Sequence, residues 1–257
     1  MIKTFTFKFL ISLFFALLIL PTRANTFVSL SPVPTEIIYA LGAQDKLLGV
    51  SSACDYPAFV KNKTIIGDTY FVNMEKIIEL KPDYLLAMNS ARPMLGELKL
   101  TKTKPVYFEF SKIEDIYSAI RDIAKLLNKQ YQAENLINEI RTKVSKFKTK
   151  NPKNILYIVQ TEPLITIGSK SFITDVINAA GHKSVTSQID YYYPAITLEF
   201  AHKTKPDVII ICFGRETKIM RKMFPKAQFV YLNQEQRDLI NRPAPRVWQA
   251  VKFFAEI

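Results

Sequence analysis

Two stretches of the chain follow one pattern at distant places in the sequence. Residues 73–88 read NMEKIIELKPDYLLAM and residues 197–212 read TLEFAHKTKPDVIIIC. Each has a helix-capping residue, an apolar residue and a glutamate, followed after five residues by Lys-Pro-Asp and an aliphatic run. Lys-Pro-Asp is a common turn from a helix to a strand. The repeat therefore predicts equivalent helix–strand units in the two halves of the chain.

A second repeat lies upstream of each unit. Thr35–Ile38 is followed by Gly42, and Thr174–Ile177 is followed by Gly181. Each predicts a short helix that ends at the glycine. With the strand-like runs between these helices, the alternation predicts parallel α/β architecture in both halves.

The segment between the halves has a different pattern. Ile113–Leu127 and Gln132–Lys148 contain neither Gly nor Pro, and the second has an apolar stripe at helical spacing. A helix of that length would span roughly 25 Å, enough to bridge two lobes. We predict lobes at 25–128 and 151–257 and a connecting helix within 129–150.

The first 24 residues have the pattern of a signal peptide. Lys3 and Lys8 precede an apolar run at 9–20, and Pro21 and Ala24 follow it. A run of 12 residues is shorter than the roughly 20 that cross a bilayer, although an uncleaved anchor is the alternative. We expect export to the periplasm by a cleavable signal, and no lipoprotein anchor, because no Cys follows the run.

The net charge of +12 has two interpretations. Export argues against nucleic acid as the partner, so an anionic ligand or a membrane surface fits better. The alternative is a lysine-rich solvated surface, and the lysine cluster at 143–153 is typical of one.

The opening stretch 27–57 (FVSLSPVPTEIIYALGAQDKLLGVSSACDYP), both Lys-Pro-Asp units and NRPAPR at 241–246 occur here in a specific order. In that order they resemble the helical-backbone class of periplasmic binding proteins, which bind cobalamin, ferric siderophores or haem. The resemblance implies two Rossmann-like α/β lobes joined by a single long rigid helix. It also implies a metal chelate bound between the lobes and delivered to an ABC permease dimer in the inner membrane, without catalysis, cofactor or directly bound metal.

The predicted ligand site lies beyond the carboxyl ends of the strands, where open α/β sheets bind ligands. Its arginines can meet carboxylate or catecholate oxygens of an anionic chelate, and surface salt bridges are the alternative. The predicted ligand-binding residues are Pro32, Ala53, Tyr70, Arg92, Tyr192, Arg215, Asp238, Leu239, Ile240, Asn241 and Arg242.

The resemblance leaves the chelate open. Three aromatic positions of the cobalamin binders are replaced by Ala53, Thr69 and Leu239, whereas Pro32 and Arg242 persist. Other aromatic side chains can supply flat faces instead. Haem binders carry a coordinating tyrosine where this chain has Asp68, so haem is disfavoured as the ligand. A haem-binding receptor of the same class is the alternative to a receptor for cobalamin or a ferric siderophore. The aromatic candidates are Tyr70, Phe71 and Tyr191–Tyr193.

Glu75 and Glu199 occupy equivalent positions in the two repeats. In the resembled family such a pair, one per lobe, binds arginines of the two permease subunits. The alternative is local, since a glutamate in a first helical turn is stabilised by the helix dipole.

Two further interpretations concern chemistry. A periplasmic hydrolase is the rival class, but the only histidines are His182 and His202, and no nucleophile elbow, phosphate loop or paired-histidine metal motif occurs. We expect both histidines to be packed or on the surface. Cys54 and Cys212 belong to different lobes by the repeat, and a bond between them would clamp the lobes together, so we expect free thiols.

Overall fold

A computed structural model describes residues 25–68 and 71–257, without the side chains of Glu97 and Leu100. The predicted signal peptide and Tyr70 lie outside the described residues. Over the ranges it covers, no helix is both long enough and apolar enough to span a membrane.

The first lobe is a parallel five-stranded sheet in the order β3-β2-β1-β4-β5. Central strands of such sheets are covered on both faces, which is why β1 and β4 are largely apolar. Its strands are β1 (Phe27–Ser29), β2 (Leu47–Ser51), β3 (Thr64–Gly67), β4 (Tyr84–Met88) and β5 (Lys104–Phe108), and its helices are α1 (Pro32–Ala40) and α2 (Met74–Leu80). Short 3₁₀ segments lie at Gln44–Lys46, Ala58–Asn62 and Asn89–Leu100.

The second lobe is a mixed sheet in the order β10-β9-β6-β7, and β8 also pairs with β6. All its pairings are parallel except the one between β6 and β7. Its strands are β6 (Asn154–Gln160), β7 (Ile165–Thr166), β8 (Lys183–Ser184), β9 (Val208–Phe213) and β10 (Gln228–Tyr231).

Two helices, α3 (Ile113–Leu127) and α4 (Gln130–Lys146), lie between the lobes. Asn128 ends α3 in the left-handed conformation, with φ 55°. The remaining helices follow in chain order: α5 (Phe172–Ala179), α6 (Leu198–Lys203), α7 (Lys218–Met223), α8 (Gln234–Asn241) and α9 (Val247–Ala255).

The junction relies on both connecting helices. α3 packs against α1 of the first lobe and α5 of the second, and α4 packs against α3 and α9. One hydrophobic core therefore runs from Phe27 through the connecting helices to Phe254. The predicted connector at Gln132–Lys148 overlaps α4, and the lobe boundaries themselves stay a prediction.

The two sequence repeats adopt the same local structure. The side chain of Asn73 accepts a hydrogen bond from the backbone N–H of Lys76 (3.0 Å), and Thr197 accepts one from Phe200 (3.1 Å). These bonds satisfy N–H groups that each helix start would otherwise leave unpaired.

Each Lys-Pro-Asp turn has left-handed backbone at its lysine. φ is 46° at Lys81 and 49° at Lys205. The aspartate of each turn binds the chain at the start of a strand of its own sheet. Asp83 accepts from the N–H of Thr26, just before β1 (2.9 Å), and Asp207 accepts from that of Asn154, the first residue of β6 (2.7 Å). The turn therefore anchors a helix to the sheet in both lobes.

The predicted packing of the histidines is confirmed. His202 is exposed, and His182 is buried between the start of β6 and α9. Its Nδ1 accepts the backbone N–H of Lys153 (3.0 Å), and Nε2 lies 2.8 Å from the carbonyl oxygen of Phe254. Only the neutral ring with its proton on Nε2 satisfies both bonds.

We expect acid to weaken the fold through His182. Burial lowers the pKa of this ring, so below about pH 6.5 the unfolded chain takes up a proton that the folded chain does not bind. Its contribution to stability is complete above that pH and is lost as the pH falls towards the folded pKa. Urea unfolding at pH 7.5 and 5.5 should show a smaller pH-dependent loss in His182→Gln than in wild type, whereas His202→Gln should match wild type. An unchanged loss in His182→Gln would contradict this assignment.

Candidate ligand-binding cleft

Loops at the carboxyl ends of first-lobe strands contact the second lobe. Asp55 follows β2 and Glu109 follows β5, and each is bonded to a second-lobe side chain. Carboxyl ends of parallel strands share one edge of a sheet. The region between the lobes is therefore the candidate ligand-binding cleft.

The first contact is centred on Arg242. Its guanidinium forms a bidentate ion pair with Asp55, in which Nη2 and Asp55 Oδ2 are 3.1 Å apart, and Nη2 also lies 3.3 Å from Asp238 Oδ1. The side chain of Arg242 is largely buried. The hydrogen bond from Arg242 lowers the pKa of Asp55, so this carboxyl is ionised near neutral pH.

The second contact is centred on Glu109. The Tyr192 hydroxyl donates to Glu109 Oε1 (2.7 Å), and the Asn89 side-chain amide donates to Oε2 (3.1 Å). Ser111 Oγ lies 3.4 Å from the tyrosine oxygen. Arg92 donates to Asn89 and stacks over the ring of Tyr107. A chain of hydrogen bonds thus joins Arg92 in the first lobe to Tyr192 in the second.

Gly168 determines the position of the tyrosine loop 191–193. A Cβ at Gly168 would lie 2.2 Å from the Tyr191 carbonyl oxygen, and its N–H donates to the Tyr192 carbonyl (3.0 Å). Only glycine permits so close an approach. The three tyrosines remain exposed, and Phe213 at the end of β9 is exposed as well. They provide flat apolar faces beside the polar contacts.

A third inter-lobe contact joins Glu36 of α1 to Arg246 at the start of α9. Arg246 Nε and Nη2 lie 2.8 and 2.9 Å from the two carboxylate oxygens, and the Glu36 side chain is only 2% exposed. The ring of Tyr56 covers the other side of the guanidinium, 3.8 Å from its central carbon.

Only part of the predicted ligand site comes together. Arg242 and Asp238 are paired, and Tyr192 and Arg92 belong to one hydrogen-bond chain. Arg215 is exposed, with no ion pair or hydrogen bond to another residue of the described ranges.

The other predicted residues range from buried to exposed, and Asn241 is exposed. Ile240 is fully buried in the core, so its side chain cannot meet a ligand in this structure. Asn241 accepts from the Tyr157 hydroxyl (3.2 Å) and donates to Cys212 Sγ (3.4 Å). The residues that are only half-buried are Pro32, Ala53 and Leu239.

Sequence reasoning missed four residues that link the lobes. Three of them lie inside quoted motifs: Glu36 in the opening stretch, Asp55 in its Asp-Tyr-Pro loop, and Arg246 at the end of NRPAPR. Glu109 lies in no such motif.

Both cysteines are buried free thiols, as expected. Cys54 lies against the hydroxyls of Thr35 (3.2 Å) and Ser51 (3.4 Å), while Cys212 lies at the end of β9 in the other lobe. Burial raises the pKa of the Cys54 thiol, so it stays protonated.

A cavity of about 590 Å³ lies elsewhere, at the amino ends of β4 and β5. Lys81, Lys102 and Lys104 are among its lining residues. It is at the opposite edge of the first sheet from Asp55 and Glu109 and lies outside the candidate site.

Two α/β lobes that meet through loops at the carboxyl ends of the first lobe's strands define a bilobal ligand-binding protein. Residues 27–227 match the family described as "Periplasmic binding protein", and the chain belongs to this family. The predicted class, a periplasmic substrate-binding protein with two α/β lobes, is therefore confirmed.

Similar proteins include binders of different ligands. The chain is 28% identical to the vitamin B12-binding protein of Yersinia pestis (strain Pestoides F) over 252 residues, which cover 93% of this chain and 89% of the relative. A possible iron-binding (periplasmic solute-binding) protein from Staphylococcus epidermidis ATCC 12228 is 27% identical with a TM-score of 0.80, and the match covers 91% of this chain and 98% of that one. The periplasmic vitamin B12 binding protein of Vibrio cholerae has the same fold, at 22% identity and a TM-score of 0.70, with 91% and 97% covered.

Proposed function

We propose that the chain captures a metal chelate between its lobes and delivers it to the permease of an ABC importer, without chemistry. Corrinoids and ferric siderophores are the two candidate classes. The observation that carries the choice between them is the pairing of Arg242 with Asp55 and Asp238. An arginine already neutralised by two acids attracts a polyanionic ferric chelate poorly. The exposed tyrosines suit a large ligand with apolar faces, so we favour a corrinoid.

The vitamin B12-binding protein of Yersinia pestis supports the same choice, because its 28% identity to this chain extends over nearly the whole length. His182 is unavailable as a base for a hydrolase because both its ring nitrogens are bonded within the core, and His202 lies on α6 with its ring against Phe224.

The proposed partner is a permease dimer that contacts Glu75 and Glu199. Both carboxylates are exposed. Each lies in the first turn of a helix whose N-cap residue belongs to the repeat. A receptor with two equivalent acids suits a partner with two equivalent subunits.

We expect a ligand panel to separate the candidate functions. Cyanocobalamin should raise the melting temperature of the mature chain, because a ligand that binds only the native state stabilises it by about 2.7 kcal/mol at 100-fold over Kd. Tyr192→Ala should weaken that binding, since it removes both the ring and the hydroxyl at the cleft. Tyr131→Ala is the matched control, because Tyr131 is 78% exposed on α4, outside the cleft.

The panel also contains haem, ferric siderophores, free divalent metals and sugars, read by calorimetry. A response to haem alone would identify a haem receptor instead. A response only to free metal or sugar would contradict the metal-chelate proposal altogether.

A further inference from the structure

The first two of the three polar contacts between the lobes, those of Asp55 and Glu109, have the same polarity. In each, the first lobe supplies a carboxylate, Asp55 or Glu109, and the second lobe supplies the donor, Arg242 or Tyr192. An anionic ligand would seek those same donors. The first lobe therefore places negative charge where the oxygens of such a ligand would bind.

The charge around Arg242 sums to a negative value. One guanidinium faces the carboxylates of Asp55 and Asp238, and its side chain is 17% exposed. A ligand carboxylate that binds the same two Nη groups must displace Asp55, which is held there by two hydrogen bonds. Because Asp55 is ionised near neutral pH, its displacement would leave like charges side by side.

The Glu109 carboxylate has no neighbouring cation to offset it among the described residues. Its hydrogen-bond partners, Tyr192 and Asn89, are neutral, and no Lys or Arg of the described residues forms an ion pair with it. Arg92 reaches it only through Asn89. The second contact therefore adds an uncompensated negative charge beside the tyrosines.

We propose that Asp55 and Glu109 are specificity-determining residues that exclude polyanionic chelates by occupying the second-lobe donors. Among the three predicted cleft arginines, this leaves Arg215 as the one without an acid or amide partner in the described part of the chain. The cleft thus accepts a chelate of low net charge that carries at most a single anionic group. The inference rests on the proposed function, which supplies the metal chelate.

The test measures two affinities in the mature chain, for neutral cyanocobalamin and for a trianionic ferric tris-catecholate complex. In Asp55→Asn/Glu109→Gln the ratio of tris-catecholate to cyanocobalamin affinity should rise about tenfold, since like charges across an interface select strongly against a partner. Asp55→Ala, which frees Arg242 but leaves Asp238 beside it, should raise the ratio as well.

The control removes the same charge at the opposite edge of the lobe. Asp45 precedes β2 and is paired with Lys46, and Glu79 lies in the last turn of α2. Asp45→Asn/Glu79→Gln should leave the ratio unchanged. An equal rise in this control would mean that net charge alone selects the ligand.

The remaining outcomes separate the two proposals. An unchanged ratio in both cleft variants, or a wild-type chain that prefers the tris-catecholate, would overturn the inference even if cyanocobalamin binds. If the wild-type chain binds no chelate, the proposed function fails. If the cleft variants then gained affinity for the tris-catecholate, that result would still support the proposal that Asp55 and Glu109 exclude polyanionic chelates.

Discussion

Replacing both Glu75 and Glu199 with alanine is expected to reduce uptake strongly while leaving ligand affinity and folding nearly intact. Both carboxylates are exposed, and neither forms an ion pair with a cation of the described residues. A two-fold permease would lose a charged contact on each side, so uptake should fall by about tenfold or more. The measurement is ligand-stimulated ATPase activity and uptake with the reconstituted importer.

The matched control is Glu79→Ala/Glu256→Ala, which also removes one exposed carboxylate from each lobe, here near helix carboxyl ends. It should support normal uptake. The single variants should be intermediate, and wild-type uptake should fall with added salt because exposed charges act strongly on association. Normal uptake by the folded Glu75/Glu199 double variant, with only a slight loss of stability, would favour the local role of these glutamates at helix starts.

The repeat was the part of the fold most readily predicted from sequence, because its determinants are local. A capping side chain and a Lys-Pro-Asp turn act over a few residues, and they form the same bonds in both lobes. The helix ends at Gly42 and Gly181 were predictable for the same reason, and both glycines have positive φ.

In the connecting region, the periodicity of the sequence predicts helices but not the elements against which they pack. Ile113–Leu127 has the pattern of an amphipathic helix, and such a pattern states that one face is buried without saying against what. In the structure α3 packs against helices of both lobes, so the junction depends on it as well as on the predicted connector.

The site was harder to predict because its contacts join residues far apart in sequence. Asp55 and Arg242 are separated by 187 positions, and Glu36 and Arg246 by 210. No spacing rule links such pairs. Ile240 was predicted to bind the ligand but does not reach the cleft. It is adjacent in sequence to cleft residues, but the geometry of the helix places its side chain in the core.

Arg246→Ala is expected to cost the protein about 3–5 kcal/mol of unfolding free energy, the largest stability effect that we predict. The substitution leaves the Glu36 carboxylate buried, with 2% of its side chain exposed, after removing the two donors at 2.8 and 2.9 Å. Arg121→Ala is the control, because Arg121 also forms a bidentate pair, with Glu134 at 2.7 and 3.2 Å, but on an exposed surface. Its loss should be small, since water replaces the missing partner.

A double variant distinguishes the free-energy cost of leaving a buried charge unpaired from the net contribution of the ion pair to stability. Replacing both partners, as in Glu36→Leu/Arg246→Met, removes the buried charge together with its partner, and such replacements are often close to neutral. The double variant should therefore be more stable in urea than Arg246→Ala alone. The coupling energy between positions 36 and 246 should be clearly larger than that of two independent sites. Because the pair joins α1 of the first lobe to the start of α9, we also expect Arg246→Ala to broaden the unfolding transition as the lobes lose a shared contact. If Arg246→Ala were no less stable than Arg121→Ala, Glu36 would have to reach water without its partner, and the pair would contribute nothing to holding the lobes together.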